Sequence, residues 1–199
     1  MPNSVNHFDR IFAEQIQCMT PQTALDIGAG FGKYGRILKK YYPNCQRTAI
    51  EPEAKYIETY GLNKVYSEVI NKDIVNCIRD GDLDNRYFNI ITCGDVLEHM
   101  FLNVALNVVN YLSYKADWII IQFPTGLAQP GIGGVSWERH LSNLDLKDFI
   151  RYNIQYYAKV KEKDDTPTGN CFHHYMLLAT GVNRGTVDPI KLGIFEDYE

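Results

Sequence analysis

The stretch Ala24-Leu-Asp-Ile-Gly-Ala-Gly-Phe-Gly-Lys-Tyr-Gly35 constrains the fold more than any other part of the chain. An apolar run stops abruptly, and Gly28, Gly30, Gly32 and Gly35 then fill four of eight positions. A strand that runs straight into such a turn, and on into a helix, lets backbone approach a ligand and aims the helix N-terminus at it. Asp26, two residues before the first glycine, puts a carboxylate at the end of that strand.

Strand and helix signals alternate on either side of this turn. Val5, Phe8, Phe12, Ile16 and Met19 recur at three- and four-residue intervals, which predicts an amphipathic helix ending before Pro21. After strand TALDIG come a helix from about Gly32 to Tyr42, strand QRTAIE, helix EAKYIETY, strand SEVIN, a helical stretch near DIVNCI and strand FNIITCG. Tyr34, Ile37, Leu38 and Tyr41 share one helical face, and Leu102, Ala105, Leu106, Val109 and Leu112 share another; both stripes read as core. The apolar run ADWIIIQFP suits a fifth strand covered on both faces. A Gly/Pro-rich loop, PTGLAQPGIGG, follows it; then Ser142 and Asp145 have capping-box spacing ahead of a helix carrying Leu146, Phe149 and Ile150. Strands IQYYAKV and HHYMLLATG, separated by the polar loop KEKDDTPTGN, form a closing antiparallel pair. The expected fold is α/β: a Rossmann-like doubly wound sheet of seven mostly parallel strands, the last antiparallel, with helices on both faces. From about Asn183 the periodicity is weak, as in a loosely held tail.

At 199 residues and 45% hydrophobic content, the chain fits one domain with a sizeable core. A formal charge of −4 argues against a non-specific polyanion binder, so nucleic acid is unsupported as a partner. Cys18, Cys45, Cys77, Cys93 and Cys171 are scattered and never form a CxxC pair, which points away from disulfides and zinc knuckles and toward a reducing, cytoplasmic setting. Residues 1–20 carry charge throughout, and no later run approaches a membrane span, so no membrane association is expected.

The glycine spacing, GxGxG with Gly35 three positions on, fits neither a dinucleotide turn nor its alternatives uniquely. Asp26 tips the balance in part, because a carboxylate sits poorly beside a diphosphate but well beside an ammonium or a sulfonium. Glu51 ends the second strand, where a carboxylate can accept from both ribose hydroxyls; that role is shared with NAD enzymes. Asp73, just past the third strand, is equally readable as an adenine partner and as a helix cap. A trio of carboxylates at successive strand ends is better explained by a ligand than by three solvated loops.

At these residues the chain resembles the class I S-adenosylmethionine-dependent methyltransferases. LDIGAGFGKYG is similar to their first motif, AIEP to the second and FNIITCGDVLEHM to the fourth. Within them it resembles a small-molecule and glycan-type subgroup with a GFGKYG turn and a later P-x-G-x-x-Q, then E-x-H-x-S, here Pro124, Gly126, Gln129, Glu138, His140 and Ser142. The resemblance spans roughly residues 23–150 and implies S-adenosyl-L-methionine as cofactor. It places Asp26, Gly28, Ala29, Gly30 and Gly32 around the methionine part, Glu51 at the ribose, Asp73 and Ile74 at the adenine, and Gly94 and Asp95 near the sulfonium. It implies a single domain over 1–199: helix 1–20, cofactor half 21–122, acceptor loop and closing strands 123–182, and tail 183–199. It also implies a small-molecule or glycan acceptor. Subgroup members often carry an aromatic residue after the motif's serine, where this chain has Asn143.

Methyl transfer from a sulfonium needs alignment more than covalent help, and an oxygen acceptor benefits from a base. His140 is the preferred base, with Glu138 two residues away, Trp137 as an acceptor platform, and GLAQPGIGG as a lid or an ordinary connection. His99 is the second candidate, with a capping or packing role as its plainer reading; Glu98 either orients His140 or meets the acceptor. At most one of His173 and His174 points inward, and no metal site is expected, since no ligand spacing on one helical face is present. Two other readings remain in view. One is a nicotinamide-dependent oxidoreductase, for which Tyr111 and Lys115 give only a formal Tyr-x-x-x-Lys pair; the other is a methyltransferase-like binding module without turnover.

Overall fold

The computed structural model describes residues 6–127, 129–130, 138–163, 171–184 and 197–198. The strands are β1 (Thr23–Ile27), β2 (Gln46–Ile50), β3 (Glu68–Ile70), β4 (Phe88–Gly94), β5 (Ala116–Thr125), β6 (Ile154–Lys163), β7 (Cys171–Thr180) and β8 (Asp197–Tyr198). The helices are α1 (Asp9–Met19), α2 (Lys33–Tyr41), α3 (Ala54–Thr59), α4 (Ile74–Arg79) and α5 (Leu102–Ser113). All strands join one sheet in the order β3-β2-β1-β4-β5-β7-β6-β8. Strands β1 to β5 pair in parallel, and β7 alone runs against its neighbours β5 and β6. The seven-stranded, mostly parallel sheet with an antiparallel last strand is as the sequence pattern predicts. The two-residue β8, beside β6 at the edge, is an addition from a segment expected to be loose.

The two faces of the sheet are sorted by the strand period of two. Leu25, Ile27, Ile91, Cys93, Ile119, Ile121 and Leu177 pack with α4 and α5 through Ile74, Cys77, Ala105, Val109 and Leu112. The intervening residues Ala24, Ile90, Trp118, Ile120, Met176 and Leu178 pack with α1 and α2 through Phe12, Ile16, Tyr34 and Leu38. Each buried Leu, Ile, Val, Met or Phe among them contributes about 1.5–3 kcal/mol of burial.

Helix α1 ends where Thr20 turns left-handed, its N–H meeting the Ile16 carbonyl at 3.1 Å, directly before Pro21. The buried ammonium of Lys33, at the start of α2, pairs with Asp9 of α1 at 2.6 Å, and Phe12 meets Tyr34 edge-on at 4.8 Å between ring centroids. The helix expected near Leu146 is shorter than predicted: Leu146–Phe149 form a single 3-10 turn. Its reciprocal cap is Asp145 with Asp148 instead of Ser142 with Asp145, and these short side chains close the turn before the chain leaves for β6. Among the described residues, no helix is long and apolar enough to cross a membrane.

Candidate functional site

The strand order reverses between β1 and β4, and in open parallel sheets that point, at the carboxyl ends of the strands, is where ligands bind. A cleft of about 510 Å³ opens there. One end is walled by Gly28–Gly30, Glu51, Asp73 and Ile74, and the other by Glu98, His99, Gln129, Glu138 and His140, with Gly94 and Asp95 between them.

The glycine turn is held by backbone and by Glu51. Gly28 and Ala29 donate to the Ile50 carbonyl at 2.8 and 3.2 Å, and Gly30 N–H donates to Glu51 Oε2 at 2.7 Å. Gly28 sits at φ +66°, and an added Cβ would collide with Val96, so this position needs glycine twice over. The other Glu51 oxygen accepts from Glu53 N–H at 2.9 Å. Burial raises the Glu51 pKa, and the two N–H groups oppose that rise. Two of its roughly four lone-pair positions therefore remain at the cleft wall. Asp73 caps α4, accepting from the Asn76 N–H at 2.9 Å and from the Asn76 side-chain amide, and it still lines the cleft beside Ile74. The helix-cap role is thus what the hydrogen bonds show, in a carboxylate that also stands at the cleft wall. Gly32 stands behind the turn as the left-handed cap of α2 and does not line the cleft.

Asp26 corrects the sequence reading. Its side chain is 2% exposed and faces away from the cleft, into the sheet's α2 side. One oxygen accepts from the Tyr66 hydroxyl and the other from Thr92 Oγ1 at 2.7 Å, Thr92 being its in-register neighbour on β4. Burial pushes its pKa up to about 6 despite these donors. The same Tyr66 oxygen accepts from Gly35 N–H at 3.2 Å, so Asp26 is tied to the turn through Tyr66 and does not line the cleft. The Lys33-Tyr34-Gly35 part of the turn is likewise explained inside the protein. Lys33 reaches Asp9, the Tyr34 hydroxyl donates to Gln122 at 2.6 Å, and a Cβ at Gly35 would strike the Tyr66 ring.

In the middle of the cleft, Asp95 adopts φ +54°, unusual for a residue with a side chain. It is held there by the Gln122 amide at 3.0 Å and by His174 Nε2 at 2.6 Å. Burial alone would lower the pKa of His174, but Asp95, then Glu162 at 3.6 Å from its Nδ1, push it up to about 9. Gln122 escaped sequence reading, though an amide inside the apolar run of β5 was a visible signal. Of the two adjacent histidines, His174 is the one that points inward.

At the far end, residues 138–142 are clamped onto the turn Leu97–His99. The Glu98 carbonyl accepts from Leu141 and Ser142 at 2.8 and 3.1 Å, His99 Nδ1 lies 3.1 Å from the Arg139 carbonyl, and Gln129 Nε2 donates to the Glu138 carbonyl at 2.7 Å. His140 Nδ1 lies 2.9 Å from the Leu127 carbonyl, and its ring meets that of His99 edge-on at 5.0 Å. Burial lowers the His140 pKa, which favours the neutral ring. Burial, reinforced by Asp95, raises that of Glu98. Glu138 accepts from the Tyr56 hydroxyl at 3.1 Å, so Glu138 reaches toward α3 and not toward His140. The structure thus brings His99, His140 and Glu98 together and gives Glu138 a different partner. Trp137 and most of GLAQPGIGG lie outside the described residues. Tyr111 and Lys115 both bond to Asp84, and neither lines the cleft.

No family model matches the chain, and no curated protein matches it in sequence. Solved structures do share its fold. The N-terminal domain of EvdMO1 with SAH bound is 11% identical at a TM-score of 0.62, over 89% of this chain and 82% of that one. Magnesium protoporphyrin IX methyltransferase (ChlM) from Synechocystis PCC 6803, also with bound SAH, is 14% identical at a TM-score of 0.59, over 86% and 80%. An O-methyltransferase family protein from Burkholderia thailandensis is 10% identical at a TM-score of 0.53; 87% of this chain matches 57% of it, little more than half its length. At such identities the likeness is one of fold: a Rossmann-like methyltransferase fold.

Proposed function

We propose that the chain is an S-adenosylmethionine-dependent methyltransferase that methylates an oxygen of a small-molecule or sugar-containing acceptor. Glu51 carries the reading. Two backbone N–H groups fix its carboxylate at the end of β2, facing the cleft beside the glycine turn, where it suits the two hydroxyls of a ribose. The fold shared with methyltransferases crystallised with SAH supports the same cofactor here. When bound, that cofactor supplies a methyl group already activated on a sulfonium, so the protein's task is alignment and exclusion of water.

In this reading Gly28–Gly30 receive the methionine part, Asp73 and Ile74 border the adenine, and Gly94 and Asp95 border the sulfonium. The left-handed Asp95, tied on both sides, keeps that wall rigid. Residues 21–122 form the cofactor half and 123–182 the acceptor half. His140 activates the acceptor: with Nδ1 engaged by the Leu127 carbonyl, Nε2 is free to take a hydroxyl proton. His99 supports the His140 ring, and Glu138, through Tyr56, anchors the acceptor segment. The sugar preference rests on the resemblance of the E-x-H-x-S motif alone.

Calorimetric titration with S-adenosylmethionine, S-adenosylhomocysteine and NAD tests the cofactor. Binding of the first two is expected, and binding of NAD alone sinks the proposal. Labelled-methyl transfer to sugars, nucleotide sugars and phenols then tests the acceptor class.

A further inference from the structure

Glu98, His99 and His140 converge on one point of the cleft from two segments that meet only in the folded chain. Each offers one ligand atom, and the three atoms lie within 4.8 Å of one another. His99 Nδ1 faces the Arg139 carbonyl and His140 Nδ1 the Leu127 carbonyl, at 3.1 and 2.9 Å. A carbonyl oxygen only accepts, so both rings carry their proton on Nδ1 and leave Nε2 as a lone pair. Metal-binding imidazoles are held in this way, the remote N–H donating to a backbone carbonyl or a carboxylate.

Glu98 supplies an independent sign. It is 1% exposed, lines the cleft, and its Oε2 has no hydrogen-bond partner among the described residues. A buried carboxylate oxygen without a donor is costly unless a positive charge meets it. The other oxygen lies 3.9 Å from His99 Nε2, too far for a hydrogen bond but compatible with two donors each about 2.0–2.2 Å from a shared ion.

We propose that Glu98, His99 and His140 form a site for one divalent first-row transition cation in the cleft. Two imidazoles and one carboxylate, with the remaining positions open to the cleft, suit Mn²⁺, Fe²⁺, Co²⁺ or Zn²⁺ better than Mg²⁺ or Ca²⁺, which take mostly oxygen ligands. The expectation of no metal came from a search for ligand spacing on one helix, which is blind to a set assembled from two segments. The coordination stands by itself, whereas its use in catalysis rests on the methyl-transfer reading. There, a cation beside the acceptor hydroxyl lowers its pKa, and the proton passes to solvent. The carbon–oxygen bond then forms as the carbon–sulfur bond breaks, with the electron pair remaining on sulfur. His140 in that case holds the cation in place of the proton.

The test is titration of the full, chelator-stripped chain with Co²⁺, followed by visible absorption, and with Mn²⁺, followed by the paramagnetic resonance of the free ion. One ion per chain is expected. His99→Ala, His140→Ala and Glu98→Gln should each weaken binding at least as much as the roughly 10- to 100-fold that loss of an outer partner costs at metal sites. His7→Ala and His173→Ala should leave it unchanged. If Glu98→Gln does not fold, the two histidine variants carry the same test. No binding, or binding that survives all three substitutions, overturns the proposal. Titration of the same samples with S-adenosylhomocysteine keeps the two readings apart. If S-adenosylhomocysteine binds and Co²⁺ does not, the cation site alone is overturned; if Co²⁺ binds and S-adenosylhomocysteine does not, the site is upheld while the result counts against the cofactor.

Discussion

The two ends of the cleft are built on opposite plans. At the glycine-turn end the carboxylates are engaged by the protein itself: Asp26 by Tyr66 and Thr92, Glu51 by Gly30 and Glu53, Asp73 by Asn76. Shape there is set by backbone, and side chains serve mainly to hold it. At the other end, the His99 and His140 rings are oriented by carbonyls that leave Nε2 uncommitted, and Glu98 keeps an oxygen without a donor among the described residues. On the proposed reading, one end fits a ligand of fixed shape and the other does the chemistry. Substitutions at the second should therefore change rate without changing cofactor affinity, and substitutions at the first should do the reverse.

His140→Ala is the largest test of that division. Labelled-methyl transfer should fall roughly 10²- to 10⁴-fold, the usual range for loss of a proton-transfer group, while calorimetric affinity for S-adenosylhomocysteine holds. Full activity of the variant would remove His140 from acceptor activation. Equal loss of affinity would erase the distinction between the two ends.

Asp26 tests whether the glycine end is built from inside. Its folded pKa of about 6 lies above its ordinary value of 3.8, so ionisation is disfavoured in the folded state. The sign follows: the stability linked to its protonated form is fully present below about pH 4 and is lost as pH rises through about 6. The amount is on the order of 3 kcal/mol, since each pKa unit corresponds to about 1.4. In thermal unfolding between pH 4 and 7, Asp26→Asn should flatten this part of the profile relative to the parent chain. Unchanged slopes would show that Asp26 is not the group that titrates there.

How much of this was legible follows from the same division. The fold was, because the short apolar runs of the strands and the helical stripes of Tyr34–Leu38 and Leu102–Leu112 are written locally. The strand-end carboxylates were visible too, but whether one faces ligand or core depends on which side of a pleat it occupies. Asp26 shares its side with Thr92, and what takes it out of the cleft is Tyr66, far along the chain on the approach to β3. Local pattern carries no such pairing. The same holds for His99 and His140, which meet because the Glu98 carbonyl captures Leu141 and Ser142. Lys33 and Tyr34 were read as a mark of kinship, and the structure gives them a plain structural task.

Glu51→Gln should have a smaller effect than either of these. The amide accepts from only one of Gly30 and Glu53 and turns its own N–H₂ toward the other. Hydrogen bonds to charged groups contribute about 1.5–3 kcal/mol, so S-adenosylhomocysteine affinity should drop roughly 10- to 100-fold, with turnover at saturating cofactor little changed. A fall in turnover at unchanged affinity would move Glu51 from the shape-setting end to the reactive one.

Asn143, where the related motif often carries an aromatic residue, should give the smallest effect. Its side-chain oxygen accepts from Gly126 N–H at 2.7 Å, and next to it Thr125 Oγ1 donates to the Leu144 carbonyl at 2.6 Å. Gly126 has φ +84°, so the amide fixes a left-handed residue at the point where β5 gives way to the loop before His140. A phenyl ring offers no oxygen to accept that N–H; here the amide ties Gly126 to the segment that leads into Leu144. Asn143→Ala removes one bond contributing about 0.5–1.5 kcal/mol at an exposed position. The acceptor's KM should rise by no more than about tenfold, the factor that 1.4 kcal/mol represents, with cofactor affinity unmoved. Asn143→Asp keeps an acceptor oxygen and should restore most of the loss. If Asn143→Ala instead weakens S-adenosylhomocysteine binding, the loop belongs to both halves of the cleft, and the division between shape and chemistry is drawn in the wrong place.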